Sequence, residues 1–548
     1  MRTIASKKSI KNWLQQLHVQ KFDHGTRSQQ AISDLLHHLT ASSFSDPALV
    51  KSFFEELLFL KVYPASENIY QQAVSAYSGL LNRVQKNNIL LKELANTGLP
   101  VTTITGCFSY YLNKKLLTQK GIRVFLDDVG GDTDALMQLL GKGLTDIEQE
   151  MLSEEKLSWK KWLALFWGND KHRQLELIIH QIERSVKGIT EREAVFASFK
   201  IYTCIEQESF PEINKQLFIH ADGLQKHSAE NIFKFSKKLI RPVPVSHSEK
   251  ETLVQLAQQT IYRLFKETDP FTYADPDQTV YLEADRGISV ALFFMESEKQ
   301  LALECYCGYL LLKNGVPVGY GGGWILGHQC RFGLNILPAF RGGESALLMI
   351  RLMQVFIHQF QIRSFLIEPF QIGKGNEEGI QSAAFWFYYK MGFRPMQPDL
   401  KKLAASAFED KRSTPDSLRS AALLKKLSGS IMQLQSTAAR QQIFYDINAI
   451  SNAISHHIGN KYGFNRELAQ KKLLKKYGPV KQPVPLSVLL IADMVHEHTV
   501  ADPAAFKTLL DLFHKKTKDE KKFVILLAKQ RLFFSWLKLL QQHPMGRS

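Results

Sequence analysis

The middle of the chain changes from helix-like to strand-like texture, and this change limits the fold more than any other feature. Three- and four-residue apolar spacings, which indicate helices, resume at 343–361 and 379–391. The order of strands, helix, strand and helix predicts an α/β (α+β) domain with a mixed sheet. The six strand-like segments are rich in Val, Ile, Leu, Phe and Tyr, and they span 279–282, 288–295, 304–312, 316–325, 330–337 and 365–367.

Both flanks of this segment are predicted to be all-helical. Apolar residues recur mostly every three or four positions from residue 9 to about residue 238, and again beyond Pro398. Between the first flank and the strands, Pro242 and Pro244 disfavour helix and predict an extended connector. A chain of 548 residues is too long for one ordinary domain. We therefore predict a helical domain at 1–240, a mixed-sheet domain at 248–398 and a basic helical domain at 399–548.

Cysteine usage and hydropathy favour a cytoplasmic address. Five cysteines are few and odd in number, which argues against a disulfide framework. The basic, amphipathic residues 1–20 lack the uninterrupted apolar core and the cleavage site of a secretory signal. Apolar runs elsewhere are far shorter than the roughly 20 residues that cross a bilayer. We expect no membrane partner.

The net charge of +16 is concentrated towards the end of the chain. Residues 279–396 carry 10 Lys/Arg and 9 Asp/Glu, whereas residues 399–548 carry 25 and 12. The clusters Lys471-Lys472, Lys475-Lys476 and Lys515-Lys516 recur at helical spacing and therefore line helical faces. Such faces are either solvated or bind nucleic acid or an acidic partner. We favour solvated faces, because the exposed aromatic residues of a base-stacking surface are not interleaved with these lysines.

A glycine-rich turn opens the first helix after the strands. Strand 331–337 runs into Pro338-Ala339-Phe340-Arg341-Gly342-Gly343-Glu344-Ser345-Ala346 and then into an apolar helix. Unpaired backbone N–H groups at a helix start, with the helix dipole behind them, form a cradle for an anion such as a diphosphate. Taken alone, Gly342-Gly343 fits a plain strand-to-helix turn equally well.

A second segment makes the first more specific. Strand 365–367 leads through a loop to Ala383-Ala384-Phe385-Trp386-Phe387-Tyr388-Tyr389-Lys390-Met391-Gly392-Phe393-Arg394-Pro395. The ordered pair resembles the signature segments of the GNAT family of N-acetyltransferases. In that family an Arg/Gln-x-x-Gly-x-Gly/Ala turn wraps the coenzyme pyrophosphate, and a later helix carries an alanine and a tyrosine before Gly-Phe. By position, Arg341 and Ala346 match the ends of the turn, and Tyr388 matches the tyrosine.

The resemblance implies acyl transfer from acetyl-CoA or another acyl-CoA to an amine of a small molecule or a protein. Tyr388 would protonate the leaving thiolate, which suits a phenol with an ordinary pKa near 10. Glu368, at the end of its strand, is our first choice of base and Glu344 the second. No metal is expected, because Cys305-x-Cys307 lacks a matching Cys or His pair. The expected cofactor contacts are Ile336, Leu337, Arg341, Gly342, Gly343, Ser345, Ala346 and, in the loop at 373–379, Asn376.

Glu344 and Gln381 depart from the family pattern, which has glycine and often asparagine at these positions. A carboxylate inside a pyrophosphate site would compete for the N–H groups and repel the ligand. We expect Glu344 to turn outward; otherwise the turn does not hold coenzyme A, and the fold serves as an inactive binding or scaffold protein. A third alternative is a nucleic-acid-associated modifier that uses the basic C-terminal region.

Three of these features also have plain structural interpretations. Core packing explains Tyr388 as well as catalysis does, since it lies in an aromatic run. Glu368 also fits an ordinary strand-end carboxylate. The glycines at 319 and 321–323 have the look of a phosphate loop but lack its Gly-Lys-Ser/Thr ending, so we predict a bulge or a close backbone approach. Asn314-Gly315, between two strands, predicts a tight hairpin turn.

Overall fold

The structure is a computed structural model of the chain, and it describes residues 6–44, 46–154, 157–207, 213, 217–225, 232–410, 414–439, 443–477, 485–496 and 503–542. Contacts divide the chain into two compact units, one of Met1–Leu224 with Gln255–Thr268 and one of Gln225–Val254 with Asp269–Ser548. The three domains predicted from the sequence are not these units. The sheet of the second unit takes β4 from the predicted connector after residue 240 and β12 from beyond the predicted boundary at 398.

The first unit combines helices with a small sheet. Its first five helices are α1 (Lys7–Gln20), α2 (Thr26–Ala41), α3 (Pro47–Val62), α4 (Glu67–Gln85) and α5 (Asn88–Glu93). These enclose a core of buried side chains that includes Leu17, Leu39 and Leu57. The following elements are β1 (Ile104–Gly106), α6 (Tyr110–Leu117), β2 (Ile122–Val129), α7 (Thr133–Gly141), α8 (Asp146–Glu154), α9 (Trp159–Trp167), α10 (Lys171–Ser185), α11 (Ile189–Phe199) and β3 (Ile201–Gln207).

The prediction that residues 1–240 are all-helical is wrong. In the described part of this unit, β1, β3 and β2 form an antiparallel sheet in that order. Helix α10 packs on β2 and places Ile178 in a core with Val124 and Leu126. The alternation of buried Ile122, Val124 and Leu126 is the period of a strand, and it was hidden among longer helical stretches.

The second unit is built on a mixed sheet, as predicted. The described strands lie in the order β11-β12-β10-β9-β8-β7-β6-β5-β4. Among them β9 and β10 form the one parallel pair, and all other neighbours are antiparallel. Their bounds are β4 (Arg241–Val243), β5 (Val280–Glu283), β6 (Ile288–Phe293), β7 (Cys305–Lys313), β8 (Val316–Leu326), β9 (Gln329–Ile336), β10 (Ser364–Ile367), β11 (Arg394–Pro395) and β12 (Met432–Gln435).

The region beyond residue 398 is not all-helical either. Strand β12 enters the sheet between β10 and β11, so the mixed sheet continues past the predicted boundary. The strand is only four residues long and has polar Gln433 and Gln435, which gives little strand signal. Strand β4 comes from the predicted connector, whose extended conformation is confirmed by its pairing with β5.

Helix α14 packs along one face of this sheet. Phe356 of α14 meets Tyr309 of β7 and Phe332 of β9, with ring centroids 6.0 and 5.7 Å apart. The remaining helices lie before and after it: α12 (His247–Tyr262), α13 (Asp269–Thr272), α14 (Ser345–Phe360), α15 (Glu377–Gln381), α16 (Ala384–Lys390), α17 (Pro398–Glu409), α18 (Pro415–Leu418), α19 (Ala421–Leu427), α20 (Ile447–Tyr462), α21 (Arg466–Tyr477), α22 (Leu486–His496), α23 (Pro503–Lys515), α24 (Glu520–Leu527) and α25 (Arg531–Gln542).

Two local predictions in the sheet are confirmed. Asn314 and Gly315 have positive φ values of 49° and 77°, which close a tight hairpin between β7 and β8. Close backbone packing explains the glycine-rich strand, because a Cβ added to Gly323 would lie 2.5 Å from the Phe356 ring. Of the helices described, none combines the length and the apolar character that crossing a bilayer requires.

Candidate functional site

Strands β9 and β10 run parallel and then part. They pair at Ser364 with Gln329, Phe365 with Cys330 and Leu366 with Arg331, and β10 ends one residue later. On its other edge β9 stays paired with β8 as far as Ile336. Among the described strands, residues 332–336 of β9 thus have no ladder partner on the edge that faces β10. We call the opening between these residues and the end of β10 the strand gap.

Tyr388 of α16 reaches the strand gap. Burial raises its pKa to about 12, and a hydrogen bond from the backbone of Leu334, in the unpaired part of β9, opposes that rise. The side chain is 4% exposed and packs edge-on against Phe393 at 5.7 Å. The phenol therefore remains protonated at neutral pH, as a proton donor must.

Gln371 packs against β9 next to the same opening. It lies in the 3-10 turn Pro369–Ile372 that follows β10. Its side-chain amide packs against Gly333, where an added Cβ would come within 3.0 Å of the Gln371 nitrogen. A polar side chain that the sequence pattern does not identify therefore packs on β9 next to the strand gap. Only its position after β10 signals such a role.

The turn after β9 ends at a helix start that lacks a side-chain cap. Gly342 takes a left-handed φ of 87° and turns the chain into α14. No side chain caps this 16-residue helix, and the amides of Ser345, Ala346 and Leu347 have no hydrogen-bond acceptor among the described residues. The positive end of the helix dipole is therefore open to an anion. Gly342 is exposed, and Gly343, Ser345 and Ala346 are half-buried.

Glu344, inside this turn, does not cap the helix with its side chain. Its carboxylate is fully buried and accepts hydrogen bonds from Lys313 at 2.6 Å, from Arg286 at 2.6 Å and from the Gln225 amide at 2.9 Å. Burial lowers the pKa of Lys313 to about 8, and its ion pair with Glu344 opposes that change. The expectation that Glu344 turns outward is wrong, because Lys313 at the end of β7 and Arg286 in the turn between β5 and β6 are buried cationic partners. Its negative charge is more than balanced.

Arg341 bridges the turn to the loop on the other side. Its guanidinium binds Glu378 at 2.7 Å and lies 3.5 Å from the carbonyl oxygen of Ile336, and both charged side chains are exposed. In the same loop Asn376 accepts a hydrogen bond from the Gly379 amide at 3.3 Å and donates one to the Phe370 carbonyl at 3.0 Å. Asn376 thus caps α15 and orders the loop. Ile336 and Leu337 are half-buried at the end of β9.

Glu368 lies at the end of β10 and belongs to a chain of charges. Its carboxylate is 3.7 Å from Arg331, whose other nitrogen binds Glu304 at 2.7 Å. Burial raises the pKa of Glu304, and Arg331 opposes that rise. The Arg331 guanidinium also lies 5.8 Å from the centre of the Trp324 ring. The sequence pattern identifies Glu368 but not Arg331, which lies on β9, or Glu304, which lies just before β7.

Comparison of the chain with models of known protein families, with curated proteins and with solved structures finds no match. The site is therefore interpreted from its own geometry and from the resemblance of its two signature segments. In the described residues, no group of three His, Cys, Asp or Glu side chains is arranged to hold a metal ion. What the fold does bring together is an open helix start, an unpaired strand edge and a protonated phenol.

Proposed function

We propose that the chain is an acyl-CoA-dependent N-acyltransferase of the GNAT type that transfers an acetyl or similar group to an amine. The observation that carries the proposal is the strand gap. An open edge beside an uncapped helix start gives a thioester's long arm a backbone to bind and gives its diphosphate an anion site.

Each part of the coenzyme has a counterpart in this arrangement. The diphosphate would accept hydrogen bonds from the amides of Ser345, Ala346 and Leu347, with Arg341 beside them. The arm would lie along the unpaired edge of β9 and continue its ladder. The amine would attack the thioester carbonyl, and Tyr388 would donate its proton to the departing sulfur.

Of the two carboxylates considered as base, Glu368 suits the role better. Its side chain is 40% exposed at the end of β10, where Arg331 holds it. Glu344 is fully buried and ion-paired, so we assign it a structural role beneath the turn. Because Glu344 is neutralised by Lys313 and Arg286, it does not carry an unbalanced negative charge to the diphosphate site.

The proposal is tested by binding of acetyl-CoA to the full chain in isothermal calorimetry. Ser345→Asp places a carboxylate at the first turn of α14, where the dipole stabilises it, so the fold is retained while the diphosphate is repelled. We expect the wild type and Ser345→Asn, the uncharged control of the same shape, to bind, and Ser345→Asp to lose binding at least tenfold. Equal binding by both variants would contradict the assignment of the helix start.

A second candidate, a binding protein that has lost the reaction, is favoured by one observation. Gln371 packs against Gly333, and the Arg341–Glu378 ion pair joins the two sides of the opening. If these contacts close the gap, the wild type does not bind coenzyme A, whereas the double variant Gln371→Ala, Glu378→Gln does. Binding of coenzyme A by the wild type would show that the gap is open and would support the enzyme.

A further inference from the structure

A corner between α20 and α21 exposes an aromatic ring. Gly463 and Phe464 both adopt left-handed backbone conformations, with φ values of 57° and 62°, and they redirect the chain between the two helices. The Phe464 side chain is 83% exposed, and its ring lies on Gly459, where an added Cβ would be 2.8 Å away. A left-handed conformation strains a bulky residue. Core packing does not account for this phenylalanine.

Helix α21 continues from this corner as a basic surface. Its twelve residues include five Lys or Arg and one acid, Glu467, and its buried side chains are Ala469 and Leu473. Helical geometry places the side chains at 468, 471 and 475 towards the opposite, solvent side, and Lys472 beside the buried face. Lys471, Lys472 and Lys475 are exposed and have no ion-pair partner in the part of the chain that is described.

A buried carboxylate fixes the orientation of this surface. Asp493 of α22 accepts hydrogen bonds from Lys461 at 2.8 Å and from Lys476 at 2.6 Å, and also from His457 and Tyr462. Lys461 lies at the end of α20 and Lys476 at the end of α21. These hydrogen bonds to Asp493 therefore hold α21 against its neighbours and leave the other three lysines of the helix exposed to solvent.

We propose that this corner, formed by Phe464, Lys471, Lys472 and Lys475, binds single-stranded nucleic acid. The exposed ring stacks on a base, and the lysines contact the phosphates of the neighbouring nucleotides in the same nucleic-acid strand. A duplex keeps its bases stacked internally and offers the ring no free face. An acidic peptide would engage the lysines without the ring. The sequence favours solvated faces because no aromatic residue is interleaved with these lysines, whereas the left-handed turn exposes Phe464 just before their helix.

The test is fluorescence anisotropy of labelled single-stranded RNA and DNA of 20 nucleotides with the full chain at several salt concentrations. We expect Phe464→Ala to weaken binding about 5- to 150-fold without changing the salt dependence, and Phe464→Trp to retain it. Replacing Lys471, Lys472 and Lys475 by Gln should reduce the slope of log K against log salt by about 2, at about 0.7 per phosphate.

A matched control removes the same charge elsewhere: Lys515, Lys518 and Lys522 are exposed lysines near the start of α24, and their replacement by Gln should leave the slope nearly unchanged. Stronger binding of single strands than of a duplex of the same sequence supports the proposal, whichever sugar is preferred. The proposal is overturned if neither strand binds, if Phe464→Ala binds like the wild type, if the duplex binds equally well, or if the control variant loses as much slope. Binding of polyglutamate that survives Phe464→Ala, without binding of oligonucleotides, would assign the surface to an acidic protein instead.

Discussion

The buried triad of Lys313, Glu344 and Arg286 makes a sharp prediction about stability. Glu344→Gln removes the single negative charge and leaves two cations, one fully buried and one 9% exposed. Breaking a buried ion pair from one side costs about 3–5 kcal/mol. Lys313→Met instead leaves Glu344 paired with Arg286 and with the Gln225 amide, so we expect it to cost about 2 kcal/mol or less.

The lowered pKa of Lys313 also makes the stability of the protein depend on pH. Folding lowers the pKa of Lys313 from 10.5 to about 8. Between these values the unfolded lysine keeps its proton and the folded lysine has lost it. The unfolded state then binds more protons, so stability rises as the pH rises through this window. Lys313→Met should abolish that part of the rise.

The assay is urea unfolding of the full chain, monitored by hydrogen exchange of peptides from α14 and β7. These peptides report on the unit that contains the triad and are not confused with unfolding of the other unit. We expect Glu344→Gln to unfold at markedly lower urea than Lys313→Met at pH 7. The reasoning is refuted if Glu344→Gln lies within about 1 kcal/mol of wild type, or if the order of the two variants is reversed.

Three further predictions concern single groups. Tyr388→Phe should lower the rate of acyl transfer by about 10²- to 10⁴-fold, measured as thiol release from acetyl-CoA with a panel of amines. Coenzyme A binding should change less than threefold. A turnover rate equal to that of the wild type would show that Tyr388 is not the proton donor. Burial raises the pKa of Glu520 to about 7, and its buried ion pair with Lys516 at 3.4 Å opposes that rise. The folded state therefore holds a proton that the unfolded state has lost, and stability falls as the pH rises from 4.5 to 7. Glu520→Gln should abolish that fall, measured as the melting temperature across this pH range, and an unchanged pH dependence would contradict the assignment. Burial acts to raise the pKa of Asp493, but hydrogen bonds from Lys461, Lys476 and two neighbours lower it well below its usual range. Asp493→Asn should lower the free energy of unfolding by about 1–3 kcal/mol at neutral pH. The difference between the variant and the wild type should shrink in acid, because the wild type loses the stabilisation that its ionised carboxylate provides.

The central sheet could be predicted from the sequence because its strands are long and apolar. Strands β7, β8 and β9 each contain eight or more residues, and the hairpin between β7 and β8 carries the Asn-Gly signal that its turn requires. The turn before α14 and the helix that carries Tyr388 were also located by local pattern. Elements of this length carry enough periodicity to be recognised without knowing what they pack against.

The remaining features depend on contacts between distant parts of the chain. Strand β12 has four residues and joins the sheet through partners about 70 positions away. Glu344 turns inward because Lys313, at the end of β7, and Arg286, in the turn between β5 and β6, converge on it, and no local sequence pattern predicts that. Phe464 lies outside the core because of a backbone conformation that its residue type disfavours.

The most direct test of the account is hydrogen exchange of residues 332–347 in the full chain, with and without saturating coenzyme A. If the strand gap and the helix start hold the cofactor, amides at 336 and 345–347 become protected, and Ser345→Asp abolishes that protection. Unchanged exchange in wild type at millimolar coenzyme A would contradict the claim that this opening is a cofactor site.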